Sequence, residues 1–344
     1  DAAVLARGDL KARMPEVPAM AVILNAASGH HDADEAAREI RAGFDEAGCA
    51  CQLVVAQGAE EVERRAREVV SRARARPDAG SAPARAEAPD AAADSEAAQV
   101  VLVAAGGDGT INLLAGIALE AGVAFGVIPL GTFNYLARDL GVPLQPREAA
   151  RALATGVFRR IHVGHVNEHL FLNNASFGLY RQLLEEREGF KQRFGRYKAV
   201  AVLAALATVW RHRRTYTLRM DIDGRPAALN TAMLFFGLNS LQFENLGMEA
   251  ARCTQAGMMA VIVLGPTSRW RMLALALRGA LHRLHDSPDL RSHCALTAEV
   301  LLPGRRQVRV AVDGESVECA LPLKVKVQRD ALAVRVPRQP EERR

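Results

Sequence analysis

The chain has 344 residues, of which 49% are hydrophobic, so it is long enough to form two domains with sizeable cores. Its formal net charge is +5, from 44 Lys and Arg against 39 Asp and Glu, and this mild excess does not indicate a nucleic-acid partner. Five Cys at irregular spacing match neither a disulfide framework nor a zinc site, and no apolar run is long enough to span a bilayer. We therefore expect reduced thiols and a cytoplasmic protein without a transmembrane helix.

The first half of the chain alternates between strand and helix patterns, after residues 1–18, which we expect to form a disordered leader. Residues 77–98 contain no aromatic or branched aliphatic residue, so we expect a flexible insertion there. Without the insertion, the alternation is typical of a parallel sheet covered by helices. The predicted strands are Ala19–Asn25, Cys51–Ala56, 99–105 and 123–128, and the predicted helices are 32–47, 59–76 and 111–121.

A glycine-rich turn follows the third predicted strand and contains Gly106, Gly107, Asp108, Gly109 and Thr110. Glycines allow crowded backbone conformations in which several N–H groups converge on an anion. We expect the hydroxyl of Thr110 to cap the next helix, whose N-terminal dipole favours the same negative charge. Asp108 then lies where the magnesium ion of a nucleotide or an attacking hydroxyl would be.

A second glycine turn follows the fourth predicted strand. It contains Gly131, Thr132 and Asn134, and we expect Thr132 to cap a short helix that ends before Gly141. The ends of consecutive parallel strands lie at one edge of a sheet, so both turns should face the same crevice.

The two turns together resemble a known family. Residues 106–110, followed by residues 129–138, are similar to the motifs of the diacylglycerol kinase catalytic domain family, which includes sphingosine kinases and bacterial lipid kinases. The first motif alone is shared with NAD kinases, whereas the second is more selective. The resemblance implies that ATP and Mg²⁺ bind here and that Asp108 holds the metal. The nucleotide-binding residues that it implies are Asn25, Ser28, Gly106, Gly107, Asp108, Gly109, Thr110, Asn112, Gly131, Thr132 and Asn134.

The turn after the first strand fits the resemblance in part. Family members carry an Asn-Pro-x-Ser-Gly motif near the nucleotide, and here Ala26 stands in place of the proline. Asn25 and Ser28 can either bind nucleotide phosphate or stabilise the loop as an Asx-type turn.

The second half of the chain has strand patterns and Asp-Gly or Asn-Glu turns that predict antiparallel hairpins packed as a β-sandwich. The predicted hairpins pair 160–166 with 169–175, 216–222 with 227–237 and 308–312 with 316–320. Residues 173–178 also resemble the family's entry to this second domain. We predict helices at 185–196, 197–212 and 268–285, one of which can touch lipid because it is basic and amphipathic. We divide the chain into a nucleotide-binding domain at 19–145, a lipid-substrate domain at 146–337 and a tail at 338–344.

One of the Asp-Gly turns is followed by an acid, Glu315, after Asp313 and Gly314. Bacterial enzymes of the family have an Asp-Gly-Glu near the end of the second domain, and the resemblance implies that Glu315 is the general base. A lipid hydroxyl that attacks a γ-phosphoryl group needs such a proton acceptor. Asp313 is expected beside it in the site, and exchange of the roles of Asp108 and Glu315 stays open.

Two departures from the family pattern concern metal and acidic contacts. Residues 250–257 lack the acidic ligands of a second, structural magnesium ion, since Gln255 and Ala256 precede the glycine. Leu113 replaces a Glu that many relatives have in the helix after the first glycine turn.

The resemblance thus implies an ATP-dependent lipid kinase in phospholipid metabolism, which visits the inner membrane surface to phosphorylate a diacylglycerol-like alcohol. Two alternatives are an NAD kinase-like enzyme and a regulatory module that binds nucleotide without turnover.

Overall fold

The structure is a computed structural model that describes residues 19–28, 32–74, 100–178, 215–244, 250–266, 268, 270–271, 274–275, 278, 287 and 289–338. The predicted leader, the predicted insertion and the predicted helices at 185–212 lie outside these residues, as does most of the one at 268–285. Within the described ranges, no helix is long and apolar enough to cross a membrane.

The N-terminal half is a parallel sheet with helices, as predicted. The sheet order is β2-β1-β3-β4, and each neighbouring pair is parallel. Every position of β3 after its first residue is buried, because helices cover both faces of this strand. The elements are β1 (Ala19–Asn25), α1 (Ala33–Glu46), β2 (Cys51–Ala56), α2 (Ala59–Arg74), β3 (Val100–Gly106), α3 (Asp108–Ala121), β4 (Ala124–Pro129), α4 (Tyr135–Asp139) and α5 (Pro146–Ala154).

The C-terminal half is a sandwich of antiparallel strands, also as predicted. A six-stranded sheet, ordered β12-β11-β10-β7-β14-β15, packs through Phe177 and Phe236 against β8, β13 and β16 of the larger sheet. The elements are β5 (Val157–Val166), β6 (His169–Phe171), β7 (Asn174–Gly178), β8 (Tyr216–Ile222), β9 (Arg225–Thr231), β10 (Met233–Gly237), α6 (Ser240–Glu244), α7 (Ala251–Gln255), β11 (Met259–Leu264), β12 (Leu290–Ala295), β13 (Thr297–Leu301), β14 (Gln307–Val312), β15 (Glu315–Ala320) and β16 (Leu323–Val336).

Two predicted hairpins are divided between the sheets. The predicted strand at 169–175 is β6, which pairs with β5, and then β7, which lies in the other sheet. The predicted strand at 227–237 changes sheets between Thr231 and Met233. The hydroxyl of Thr231 donates at this crossing to the carbonyls of Met233 and Leu264, at 2.6 and 2.7 Å.

The last strand, β16, joins the two halves. The sequence predicts two strands at 323–328 and 332–336, whereas the structure has one long strand with an irregularity between Gln328 and Leu332. Its first part pairs with β13, and Val334 in its last part pairs in parallel with Phe125 of β4. The parallel sheet therefore continues into the sandwich and forms one ten-stranded sheet.

The expectation of reduced thiols is wrong for one pair of cysteines. Cys253 in α7 and Cys294 in β12 form a disulfide, with their Cα atoms 5.1 Å apart. Helix α7 packs against β11 and β12, which brings the two cysteines together although they are 41 positions apart. Cys49, Cys51 and Cys319 are not disulfide-bonded.

Candidate active site

The two glycine turns touch at the carboxyl ends of β3 and β4. A Cβ atom on Gly131 would lie 2.8 Å from the Cα of Gly107, closer than real side chains approach a backbone. The N–H of Leu130 donates to the carbonyl of Gly106 at 2.9 Å and continues the ladder into the turns. Gly131 must therefore lack a side chain, because a Cβ atom there would push the two turns apart.

Asp108 connects the two turns. It is the first residue of α3, and its carboxylate accepts the N–H groups of Asn134 and Tyr135, each at 3.1 Å. Burial raises the pKa of Asp108, while these two backbone donors act in the opposite direction. A carboxylate has about four lone-pair sites, so the two bonds leave Asp108 with capacity for a further ligand.

The helix caps differ from the prediction. Helix α3 begins at Asp108, three residues earlier than predicted. Gly107 is extended (φ −85°, ψ 179°) and serves as the N-cap. The hydroxyl of Thr110 therefore lies inside the first turn, 2.9 Å from the Nδ2 of Asn25 and 3.1 Å from the Oγ of Ser28. These bonds tie the turn after β1 to α3, and the Oδ1 of Asn25 also accepts the N–H of Gly58 at 3.2 Å.

Asn134, not Thr132, is the N-cap of α4, and it has a left-handed backbone with φ 53°. Its side chain closes the second glycine turn: Oδ1 accepts the N–H of Gly131 at 3.0 Å, and Nδ2 donates to the carbonyl of Gly131 at 2.9 Å. The side chain of Asn134 thus holds the shape of the turn.

Asp313 is the most heavily bonded acid of the site. Its carboxylate accepts from the Nδ2 of Asn112 and the N–H of Leu172, both at 2.7 Å, and from the N–H groups of Asn173 and Asn174 at 2.8 and 2.9 Å. Burial raises its pKa, and the four donors oppose that shift. Asp313 therefore anchors the β14–β15 hairpin to α3 and to the chain before β7.

Glu315 differs from both Asp residues because its side chain is exposed. Its Oε1 lies so close to Gly109 that a Cβ atom at that position would collide with it. The structure thus brings this carboxylate, which is 206 positions later in the chain, to the first turn of α3.

The carboxylate of Glu315 faces a cavity of about 260 Å³ between α3 and the hairpins β5–β6 and β14–β15. The site residues in its wall are Gly109, Asn112, Asp313 and Glu315. Leu113 also lines it, so an apolar side chain stands where many relatives have a Glu. A larger cavity of about 370 Å³ lies on β8, β9 and β13. It contains none of the motif residues, so we take the smaller cavity as part of the site.

Two buried asparagines at the site were not predicted. The Nδ2 of Asn239 donates to the carbonyl of Tyr135 at 3.2 Å and to the Oδ1 of Asn173 at 2.9 Å. Residues 173–174 were noted for their resemblance to the family, but no sequence signal marked Asn239.

Two features of the described residues concern metal ligands. The described residues include no group of three or more His, Cys, Asp or Glu that could hold a metal ion. Near residues 250–257, the guanidinium of Arg329 donates to the carbonyls of Gly257 and Ala256, at 3.0 and 3.4 Å. The positively charged side chain of Arg329 thus binds both of these carbonyls.

The described residues combine an N-terminal α/β half with a C-terminal antiparallel sandwich, and the two glycine turns lie at the carboxyl ends of β3 and β4. Residues 19–166 match the model of the diacylglycerol kinase catalytic domain, the family whose motifs the two turns resemble. A protein named Probable lipid kinase YegS-like, from Chromohalobacter salexigens, is 36% identical over 118 residues, which cover 32% of this chain and 38% of that protein. The diacylglycerol kinase of Bacillus subtilis is 44% identical over 86 residues, 24% of this chain and 28% of that protein. The matched segments therefore span less than half of these relatives.

A solved structure extends the comparison over nearly the whole chain. The crystal structure of a diacylglycerol kinase from Bacillus anthracis superposes with a TM-score of 0.66 and covers 93% of this chain and 97% of that one. The sequence identity is 17%, so this likeness shows the fold.

Proposed function

We propose that the protein is an ATP-dependent lipid kinase that transfers the γ-phosphoryl group to the hydroxyl of a diacylglycerol-like lipid. The observation that carries the proposal is the position of the exposed carboxylate of Glu315 beside Gly109, at the start of the helix that follows the first glycine turn. A base next to a phosphate-binding turn is the arrangement that phosphoryl transfer to an alcohol requires.

The glycine turns would bind the phosphates of ATP. The first N–H groups of α3 have no carbonyl partner earlier in the helix, and the helix dipole favours an anion at this end. Asp108 would hold the Mg²⁺ that accompanies ATP, since this ion is often bound by one or two carboxylates together with substrate phosphates. When bound, Mg²⁺ supplies charge neutralisation at the phosphoryl group.

The three acids would have separate roles. Glu315 would accept the proton of the lipid hydroxyl as that oxygen attacks the γ-phosphorus. The bond between the γ-phosphorus and the β,γ-bridging oxygen breaks in the same transfer, and ADP leaves. Asp313 has four N–H donors on its carboxylate and therefore positions the hairpin that carries Glu315. Asn25, Asn112 and Asn134 likewise shape the crevice through their bonds to the protein.

The proposed acceptor is a lipid, so we also propose that the protein works at the cytoplasmic membrane surface. Trp270 supports this proposal: it is 70% exposed and is followed by the exposed Arg271. An aromatic side chain next to a cation suits a membrane interface.

The test is transfer of labelled γ-phosphate from ATP, with Mg²⁺, into a panel of lipid alcohols in mixed micelles, with NAD as a parallel acceptor. We expect label in a lipid, and loss of transfer in Glu315→Gln and Asp108→Asn. Glu318→Gln is the matched control, because Glu318 is exposed on the same strand and points to the other face of the hairpin. Full activity in Glu315→Gln would refute the role of the base, and label in NAD alone would identify an NAD kinase-like enzyme.

A further inference from the structure

Helix α4, which follows the second glycine turn, is held at both ends by the C-terminal half of the protein. At its start, the carbonyl of Tyr135 accepts the Nδ2 of Asn239 at 3.2 Å. At its end, the Oδ1 of Asp139 accepts the hydroxyl of Ser240 at 3.0 Å and the N–H of Leu241 at 3.3 Å. The position of this helix therefore depends on residues 239–241.

Asn239 connects α4 to the segment before β7. Its side-chain amide has two N–H bonds, one directed to Tyr135 and the other to the Oδ1 of Asn173 at 2.9 Å. Asn239 and Asn173 are only 2% and 4% exposed, so water does not compete for these bonds. An N–H donor that loses its partner costs far more free energy when it is buried than when it is exposed. The positions of Asn239 and Asn173 are therefore tightly constrained.

The bonds of Asn239 close a ring around the site. The N–H of Asn173 donates to one oxygen of Asp313, and the Nδ2 of Asn112 donates to the other, at 2.8 and 2.7 Å. Asn112 is one helical turn after Asp108 on α3, and positions four apart share a helix face. The ring is completed by the carboxylate of Asp108, which accepts the N–H of Tyr135, the first residue of α4, at 3.1 Å.

None of the hydrogen bonds that form this ring is exposed to solvent. The ring joins the helix after each glycine turn to Asp313, two residues before Glu315. If the two hydrogen bonds of Asn239 are lost, the ring opens, and these bonds no longer connect the second glycine turn to the hairpin that carries Glu315.

We propose that Asn239 is a positioning residue, which sets the second glycine turn in register with Glu315 for phosphoryl transfer. This inference rests on the proposed lipid kinase activity. Asn239 acts through Tyr135 and Asn173 and does not touch the reacting groups.

The substitution that tests the inference is Asn239→Asp. It keeps the size of the side chain but replaces both N–H donors with an oxygen that faces two acceptor oxygens. We expect kcat to fall roughly 10- to 100-fold, because misplacement by about 1 Å costs on the order of 100-fold in rate. The KM for ATP should change less than about threefold, because each glycine turn keeps its own backbone. Asn230→Asp is the matched control: Asn230 is exposed on β9 and bonds only to Thr217 among the bonds that the structure shows.

Hydrogen exchange gives a readout that does not depend on activity. The amide N–H groups of Asn134 and Tyr135 donate to Asp108, so a peptide covering residues 131–139 reports whether the second turn is held in place. We expect faster exchange of this peptide in Asn239→Asp and an unchanged rate in Asn230→Asp.

Each outcome decides the inference. Faster exchange together with reduced kcat per folded molecule supports it. Unchanged exchange in a folded variant, or unchanged kcat per folded molecule, overturns it and leaves Asn239 a merely structural residue. If the wild-type protein transfers phosphate to no acceptor, the proposed function fails. The exchange of the peptide covering residues 131–139 in Asn239→Asp then still decides the coupling of the turn to Asn239, and an unchanged rate would refute it.

Discussion

The substitution Asp313→Asn tests how strongly the carboxylate of Asp313 stabilises the protein through its four N–H donors. Both oxygens of Asp313 accept two N–H groups each. An asparagine offers one carbonyl oxygen, so two of the four donors would face an NH₂ group instead. An unsatisfied buried donor costs about 1–3 kcal/mol, which gives a loss of about 2–6 kcal/mol before any compensation. Removal of a buried charge offsets part of this cost, and we expect a net loss of about 2 kcal/mol or more.

The chain contains a matched control for this prediction. Asp223 also precedes a glycine in a hairpin turn, and its φ of 48° is close to the 46° of Asp313. Its carboxylate accepts the N–H groups of Leu296 and Thr297, at 3.2 and 2.8 Å, but these bonds are exposed to solvent. Water can replace them, so Asp223→Asn should cost less than about 1 kcal/mol.

The assay is urea unfolding of both variants and the wild type, followed by far-UV circular dichroism. A difference of about 1 kcal/mol or more between Asp313→Asn and Asp223→Asn supports the argument from burial. Equal losses in the two variants would refute it, since the local turn conformation is the same at both positions.

Two further predictions concern the first turn of α3. Gly109→Ala should displace Glu315, because the added Cβ collides with its carboxylate, and should lower phosphoryl transfer at least tenfold. Gly116→Ala on the same helix is the control. Its added Cβ has its nearest neighbour at 4.0 Å, so its effect on the free energy of unfolding should be neutral or stabilising by about 0.5–1 kcal/mol. Equal transfer by the two variants would contradict the contact. Burial raises the pKa of Asp108 above its ordinary value of about 3.9, so the folded protein holds this proton more tightly than the unfolded chain. Stability from Asp108 should then decrease as the pH rises from about 3.9 through the raised value. The difference in unfolding free energy between the wild type and Asp108→Asn measures this decrease, and a difference that increases with pH in that window would exclude it.

Local patterns predicted most of the fold, because each depends on a few neighbouring residues. The periodic apolar residues of α1, including Ile40 and Phe44, are buried as expected. The caps of α3 and α4 were wrong, since glycine and left-handed asparagine started these helices in place of the threonines. Strand-to-helix turns that serve a binding site can depart from ordinary capping preferences.

Contacts between distant residues were predicted only where a family motif marked them. Glu315 was placed near the first glycine turn by resemblance, and the structure shows this contact with Gly109. Asn239 bonds to residues 66 and 104 positions away, and nothing in the residues around it indicates those partners. The disulfide between Cys253 and Cys294 was missed for the same reason, because the packing of α7 against β11 and β12, rather than sequence spacing, brings the two cysteines together.

The way in which the two halves are joined explains why the site needs its buried amides. The backbone ladder between the parallel sheet and the sandwich consists of one pair within the described residues, Val334 with Phe125. Buried apolar residues of β16, including Leu332 and Val334, also pack in one cluster with those of β3 and β4. Apolar packing is non-directional, while phosphoryl transfer requires the base within hydrogen-bond reach of the acceptor hydroxyl. Directional contacts supply the precision that packing lacks: Asp108 joins the two glycine turns, and the Nδ2 of Asn112 donates to Asp313 across the two halves. The proposed phosphate site can therefore stay free of side chains, and the position of the proposed base is set by Asn112 and Asp313, which do not accept the proton of the lipid hydroxyl.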